Sequence, residues 1–204
     1  MSSFRRRLMM AQQGGGGGQI PSDNGIYILD TNGKYWTKDN WDISNNDNAV
    51  GVALISDLHP DGGFVIAPDE FKDYCFGQNI LIPSIPELSS EDLAKNDFDG
   101  VNNTKCIYDY HNENNTWLDI EKNAIKVCYE YIFKNGEKGY LPSFGEVFLM
   151  YENKNEIEDA LTTINGDSFV SFSNLEYKLS SSQCNETRYW AYKQSDFLGM
   201  VLIS

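Results

Sequence analysis

The sequence predicts an α+β fold, on three observations. Near the start, two pairs of short apolar runs are each joined by a turn sequence. Helical periodicity then dominates from about residue 99 to 164, and short strand patterns return at the close. Hairpins at one end, helices in the middle and short strands at the close indicate an α+β domain. A chain of 204 residues can bury one sizeable core, or one core with a small appendage.

In the first hairpin, Ile26, Ile28 and Tyr35 flank Asp30-Thr31-Asn32-Gly33, and Asn-Gly between such runs is a strong turn signal. The second hairpin joins 50–56 (VGVALIS) to 63–67 (GFVIA) through Pro60-Asp61-Gly62. Residues 69–97, with Pro83, Pro86 and an acidic run at 89–92, read as a surface excursion with one helical turn. A helix is expected at about 99–112, with Thr104, Ile107, Tyr108 and His111 on one side. A second is expected at about 117–132, where Trp117, Ala124, Cys128 and Tyr131 recur at helical spacing. Ser143 and Glu146 form a capping box for the next helix, and a further helical segment stops at Asn165-Gly166. Phe144, Phe148, Ile157, Leu161 and Ile164 are expected to form one core against the strands at 50–56 and 63–67. Phe169–Phe172, Tyr189–Tyr192 and Met200–Ile203 are the late strand candidates.

The formal net charge of −14 disfavours nucleic acid and anionic membranes as partners. No apolar stretch approaches membrane-span length, and the opening MSSFRRRLMM is too short for a secretion signal. Residues 1–18 read as a flexible basic arm ending in a pentaglycine linker. Phe4, Arg5, Arg6, Arg7, Leu8 and Met9 form a candidate anchor for a partner, and residues 19–204 form the folded domain.

Catalytic patterns are missing. His59 in a turn and His111 near a helix end read as surface residues. There is no phosphate-binding glycine loop and no nucleophile elbow. Asp30-Thr31-Asn32-Gly33 resembles the start of a calcium loop, but the rest of the ligand series is absent. Cys75, Cys106, Cys128 and Cys184 lack zinc spacing, and reduced thiols are expected, buried at Cys106 and Cys128. Paired carboxylates at 69–70 and 91–92 are glycosidase candidates by type only. No metal and no cofactor is expected.

One long segment carries a resemblance. FKNGEKGYLPSFGEVFLMYENKNEIEDALTTINGD leads, after a polar gap, to LSSSQCNETRYWAY. Earlier come GIYILDTNGKYWTKDNWD, VGVALIS, GFVIA and DFDGVNNTKCI. In this order they resemble the C-type-lectin-like domains of gut phages and gut bacteria, including the target proteins of diversity-generating retroelements, from about Gly25 to Tyr192. The resemblance implies a C-type-lectin-like fold whose ligand surface follows the Ser-Ser motif. Carried over, its contacts are Gln183, Asn185, Glu186, Arg188, Tyr189, Trp190, Tyr192 and Lys193, with a core strand as the competing role for Trp190 and Tyr192. Leu179 stands where the family has Trp, and the family continues beyond the point where this chain stops. A shortened binding loop is the expectation.

The function expected on this resemblance is that of a phage virion protein, a fibre or decoration, and not an enzyme. Its arm would hold other virion proteins, its domain would bind a host-surface glycan or protein, and it would form homo-oligomers, with a trimer as one option. It would be made in the host cytoplasm without a signal peptide. The alternative is a bacterial C-type-lectin-like protein-binding module. The third reading is a glycan hydrolase or an enzyme of the related formylglycine-generating fold.

Overall fold

The computed structural model describes residues 19–69, 80–117, 123–167, 177–185, 188–193 and 201–203. The anchor residues Phe4 to Met9 and the strand candidate Phe169–Phe172 lie outside them. The chain folds as α+β, with 38% helix and 22% strand. Residues 19–204, expected as one domain, divide into two compact units. No helix among the described residues is long and apolar enough to cross a membrane.

The first unit takes residues 19–69, 132–137 and 153–167. Its antiparallel sheet has the order β2-β1-β3-β4, from β1 (Gly25–Asp30), β2 (Tyr35–Trp36), β3 (Ala49–Ile55) and β4 (Gly63–Ile66). Both expected hairpins are present. In the first turn, Asp30 Oδ1 accepts from the Asn32 and Lys34 amides (2.8 and 2.9 Å), and Oδ2 accepts from the Trp36 indole (2.9 Å). Asp30 therefore works as a turn hub. Every residue of β3 is buried. Gly51 is required there: an added Cβ would lie 2.3 Å from the Ile66 carbonyl oxygen.

The last helix among the described residues, Lys154–Thr163, packs on β1 and β3 with Ile157, Ala160 and Leu161 inside. It ends where Asn165 adopts φ 56°, and the Gly166 amide returns to the Leu161 carbonyl (2.9 Å).

The second unit takes residues 80–117, 123–131 and 138–152 together with the C-terminal strands. Its helices are α1 (Glu91–Lys95), α2 (Gly100–Asn114), α3 (Ala124–Glu130) and α4 (Phe144–Glu152), so the helix Lys154–Thr163 is α5. Its sheet has the order β5-β6-β7, from β5 (Tyr177–Asn185), β6 (Arg188–Lys193) and β7 (Val201–Ile203). α2 buries Thr104, Ile107 and His111 on one face, as its periodicity requires. α3 starts at the Asn123 cap, whose side chain accepts from the Lys126 amide, so Trp117 stands ahead of it.

The structure corrects three expectations. The single helical core is two. Phe144 packs with Ala94, Cys184 and Trp190 in the second unit, while Ile157 and Leu161 pack in the first. Phe148 is only partly buried, with Lys95 Nζ 4.4 Å above its ring. The stretch expected as a surface excursion supplies Ile82, Ile85 and Ala94 to the interior, because its backbone is hydrogen-bonded by buried side chains described below. Both histidines, expected at the surface, are inside: His59 is 5% exposed and His111 1%. His59 Nδ1 accepts from the Asp61 amide within its own turn (3.2 Å), which draws the ring inward against Phe64.

Candidate functional site

The hairpin β5–β6 holds the residues assigned to ligand contact. Leu179 pairs with Ala191 and Gln183 with Tyr189, so Ser180, Ser181 and Ser182 stand opposite Trp190 alone. The serine run is thus a bulge, and bulges re-aim side chains. All three serines are fully buried, so their polar groups need partners. Ser180 Oγ donates to the Trp190 carbonyl (2.6 Å), and the Ser181 amide to the Pro142 carbonyl (2.8 Å). Ser182 Oγ donates to Asp97 Oδ2 (2.6 Å) and accepts from the Phe144 amide (2.7 Å), capping the start of α4.

Asp97, partly buried, and Glu146, buried, complete this network. The Asp97 carbonyl accepts from the Gly145 amide (3.0 Å) and from Ser143 Oγ (2.7 Å), and Asp97 Oδ2 also accepts from the Asn103 side-chain Nδ2 (2.9 Å). Glu146, 1% exposed, accepts from the Ser143 amide (2.7 Å) and the Tyr140 hydroxyl (2.9 Å). The expected capping box is therefore realised through its glutamate, while Ser143 Oγ turns to Asp97 and Glu146. Gly145 makes the approach feasible, since a Cβ there would lie 2.5 Å from the Asp97 carbonyl oxygen. Asp99 nearby has its carboxyl raised above the usual range, by desolvation first and then by Asp97.

On its other side the hairpin grips the chain's own segment 80–88. Gln183 Oε1 accepts from the Ile82 amide (2.8 Å) and the Tyr189 hydroxyl (3.3 Å), and Gln183 Nε2 donates to the Ile85 carbonyl (3.4 Å). The Gln183 carbonyl takes the Leu88 amide (3.0 Å). The Tyr189 hydroxyl also reaches the Ile80 carbonyl (3.1 Å), and the Trp190 indole donates to the Leu88 carbonyl (2.9 Å). Burial pushes the Tyr189 phenol above its ordinary value, so it stays a neutral donor.

These contacts locate the sequence-derived set. Gln183, Tyr189 and Trp190 are interior residues, at 0%, 2% and 6% exposure, and face the chain itself. Trp190 thus takes the core-strand role. Asn185 ends β5 partly exposed. Arg188, Tyr192 and Lys193 belong to β6, but their side chains lie outside the described residues, as does Glu186. The sequence reading missed Asp97 and the 80–88 grip. For Asp97, the one available signal was its place beside the helix start at Gly100, opposite a capping box.

Among the described residues, no group of three or more His, Cys, Asp or Glu side chains could hold a metal ion. Cys106, Cys128 and Cys184 form no disulfide. Cys106 and Cys128 are partly buried rather than buried, and desolvation pushes the Cys128 thiol up to about 12, leaving it inert. Glu91 of the acidic pair pairs with Lys95 (2.6 Å). Searches of protein-family models, curated proteins and solved structures find no match to this chain.

Proposed function

We propose that the chain is a non-catalytic virion protein, a fibre or decoration, built on a C-type-lectin-like domain and held in its particle by the N-terminal arm. The domain meets a host-surface glycan or protein. The observation that carries the reading is the order of motifs from Gly25 to Tyr192, together with the use of its polar residues. Asp97, Ser143, Glu146, Ser182 and Gln183 are spent on internal hydrogen bonds, which is scaffold chemistry. A catalytic carboxylate or hydroxyl must instead reach a substrate atom.

The buried state of Gln183, Tyr189 and Trp190 favours decoration over adhesion through this hairpin. Asn185, which ends β5 partly exposed, and Arg188 of β6 are the members of the set chosen to test external contact. The test is adsorption to host cells and to a glycan array, comparing the parent with Asn185→Ala and Arg188→Ala. Loss of adsorption with an unchanged melting temperature supports an adhesin. Binding by neither parent nor variants supports decoration alone. Cleavage of an arrayed glycan contradicts both. Deleting residues 1–13 should leave a folded protein that no longer enters particles, and normal incorporation would contradict the anchor.

A further inference from the structure

His111 occupies the last turn of α2 and is 1% exposed. Its ring lies 4.7 Å from the Trp117 ring at a tilt of 31°, and edge-on to Tyr110 at 6.1 Å. Nδ1 is 2.9 Å from Thr116 Oγ1. The His111 carbonyl accepts from the Asn115 and Thr116 amides, with Asn115 at φ 50°. The reversal after α2 is therefore folded back onto this one residue by both backbone and side chain. Trp117 extends the arrangement. Its indole donates to Asn112 Oδ1 (2.8 Å), its ring meets Tyr108 edge-on at 5.5 Å, and Tyr108 lies 4.3 Å from Tyr129 of α3. The imidazole supports an aromatic cluster that joins α2 to α3.

We propose that His111 is an acid-sensitive latch: the neutral imidazole holds the 115–117 reversal and the aromatic cluster closed, and protonation opens them. A buried imidazolium needs a carboxylate or a strong acceptor at both nitrogens. α2 packs on α3 and β5. Among the described residues, the charged groups of α2 are Lys105, Asp109 and Glu113, and the titratable groups of α3 are Lys126, Cys128, Tyr129 and Glu130. Asp109 is paired with Lys105, and Glu130 accepts the Tyr108 hydroxyl. In β5, residues 179–184 bring no carboxylate or ammonium, and their one titratable group is the buried Cys184. Desolvation holds the His111 pKa below its ordinary 6.5, with a hydrogen bond to the Thr116 backbone opposing it. The sign follows. The opened state binds the proton more tightly, so the closed state is favoured at neutral pH and loses stability as pH falls below 6.5.

The test is an NMR titration of the intact protein. The two histidines are distinguished with His59→Asn, and hydrogen-exchange protection of the Trp117 indole and the Thr116 amide is followed alongside. The latch requires a His111 midpoint below 6.5, and through that midpoint about a tenfold or greater loss of protection at Thr116 and Trp117. The Ile157 amide should keep its protection. His111→Gln, which retains a hydrogen-bonding side chain but cannot titrate, should abolish the acid response. If that variant does not fold, Thr116→Val should reproduce the opened exchange at neutral pH. A midpoint at or above 6.5 would mean that the helix terminus and the Trp117 face stabilise the cation, and would overturn the proposal. Unchanged protection through the midpoint, or loss at Ile157 as well, would equally overturn it.

Discussion

Ser181 is the odd member of the serine run. Its neighbours pin the hairpin with their hydroxyls, but Ser181 Oγ is fully buried and has no hydrogen-bond partner among the described residues. A hydroxyl without a partner costs roughly 1–3 kcal/mol to bury. Ser181→Ala should therefore be neutral or raise the melting temperature, whereas Ser182→Ala, which strips a partner from Asp97 and from the Phe144 amide, should lower stability by about 1–3 kcal/mol. Equal losses in the two variants would contradict the assignment of partners. Asp99 gives a pH-dependent case. Its folded pKa is raised, so its ionisation destabilises the fold, and that loss is relieved as pH falls through the raised value towards 3.8. Asp99→Asn should stabilise the protein at neutral pH and remove this part of the acid-side dependence. A thermal-melt series against pH checks both.

At the scale of elements, α4 carries the clearest contrast. Phe144 is fully buried, with its ring 5.7 Å from that of Trp190, and Phe148 is partly exposed under Lys95. Phe144→Ala should cost about 3–5 kcal/mol. Phe148→Ala should cost clearly less, and calorimetry that finds equal costs would contradict the packing. Sequence periodicity treated the two alike, because α4 also buries Gly145 and Glu146 and so lacks a clean polar face.

Other elements were legible for identifiable reasons. The hairpins around Gly33 and Gly62 were readable because those turns need positive φ, which the sequence marks with Asn-Gly and Asp-Gly. β5 was not read as a strand, because a Ser-Ser-Ser-Gln run shows no apolar alternation. Its burial is set by tertiary hydrogen bonds to Asp97, Pro142 and segment 80–88. The same segment, with its prolines and acidic flank, carries a surface composition, and the distant Gln183, Tyr189 and Trp190 hold it inward.

For the whole molecule, the residues expected as one domain form two compact units, each with its own core. Helical periodicity identifies a buried face without saying which core receives it, and so the residues of α4 and α5 were merged. Ile157→Ala should lower protection in β1 and β3, and Phe144→Ala should lower it around Trp190, in hydrogen-exchange maps of the intact chain. The candidate site was legible as a location, since the serine motif does mark the hairpin. Its direction was not, because side-chain burial at Gln183 and Tyr189 depends on a segment about a hundred residues earlier.

The central claim is that these hairpin side chains bind the chain's own 80–88 segment. Hydrogen exchange at the Ile82 amide in Gln183→Ala tests it most directly. Losing the Oε1 acceptor should cut protection there by about tenfold or more, while the Ile157 amide is unaffected. Protection at Ile82 equal to that of the parent would contradict the claim and return Gln183 to the pool of residues able to meet an external ligand.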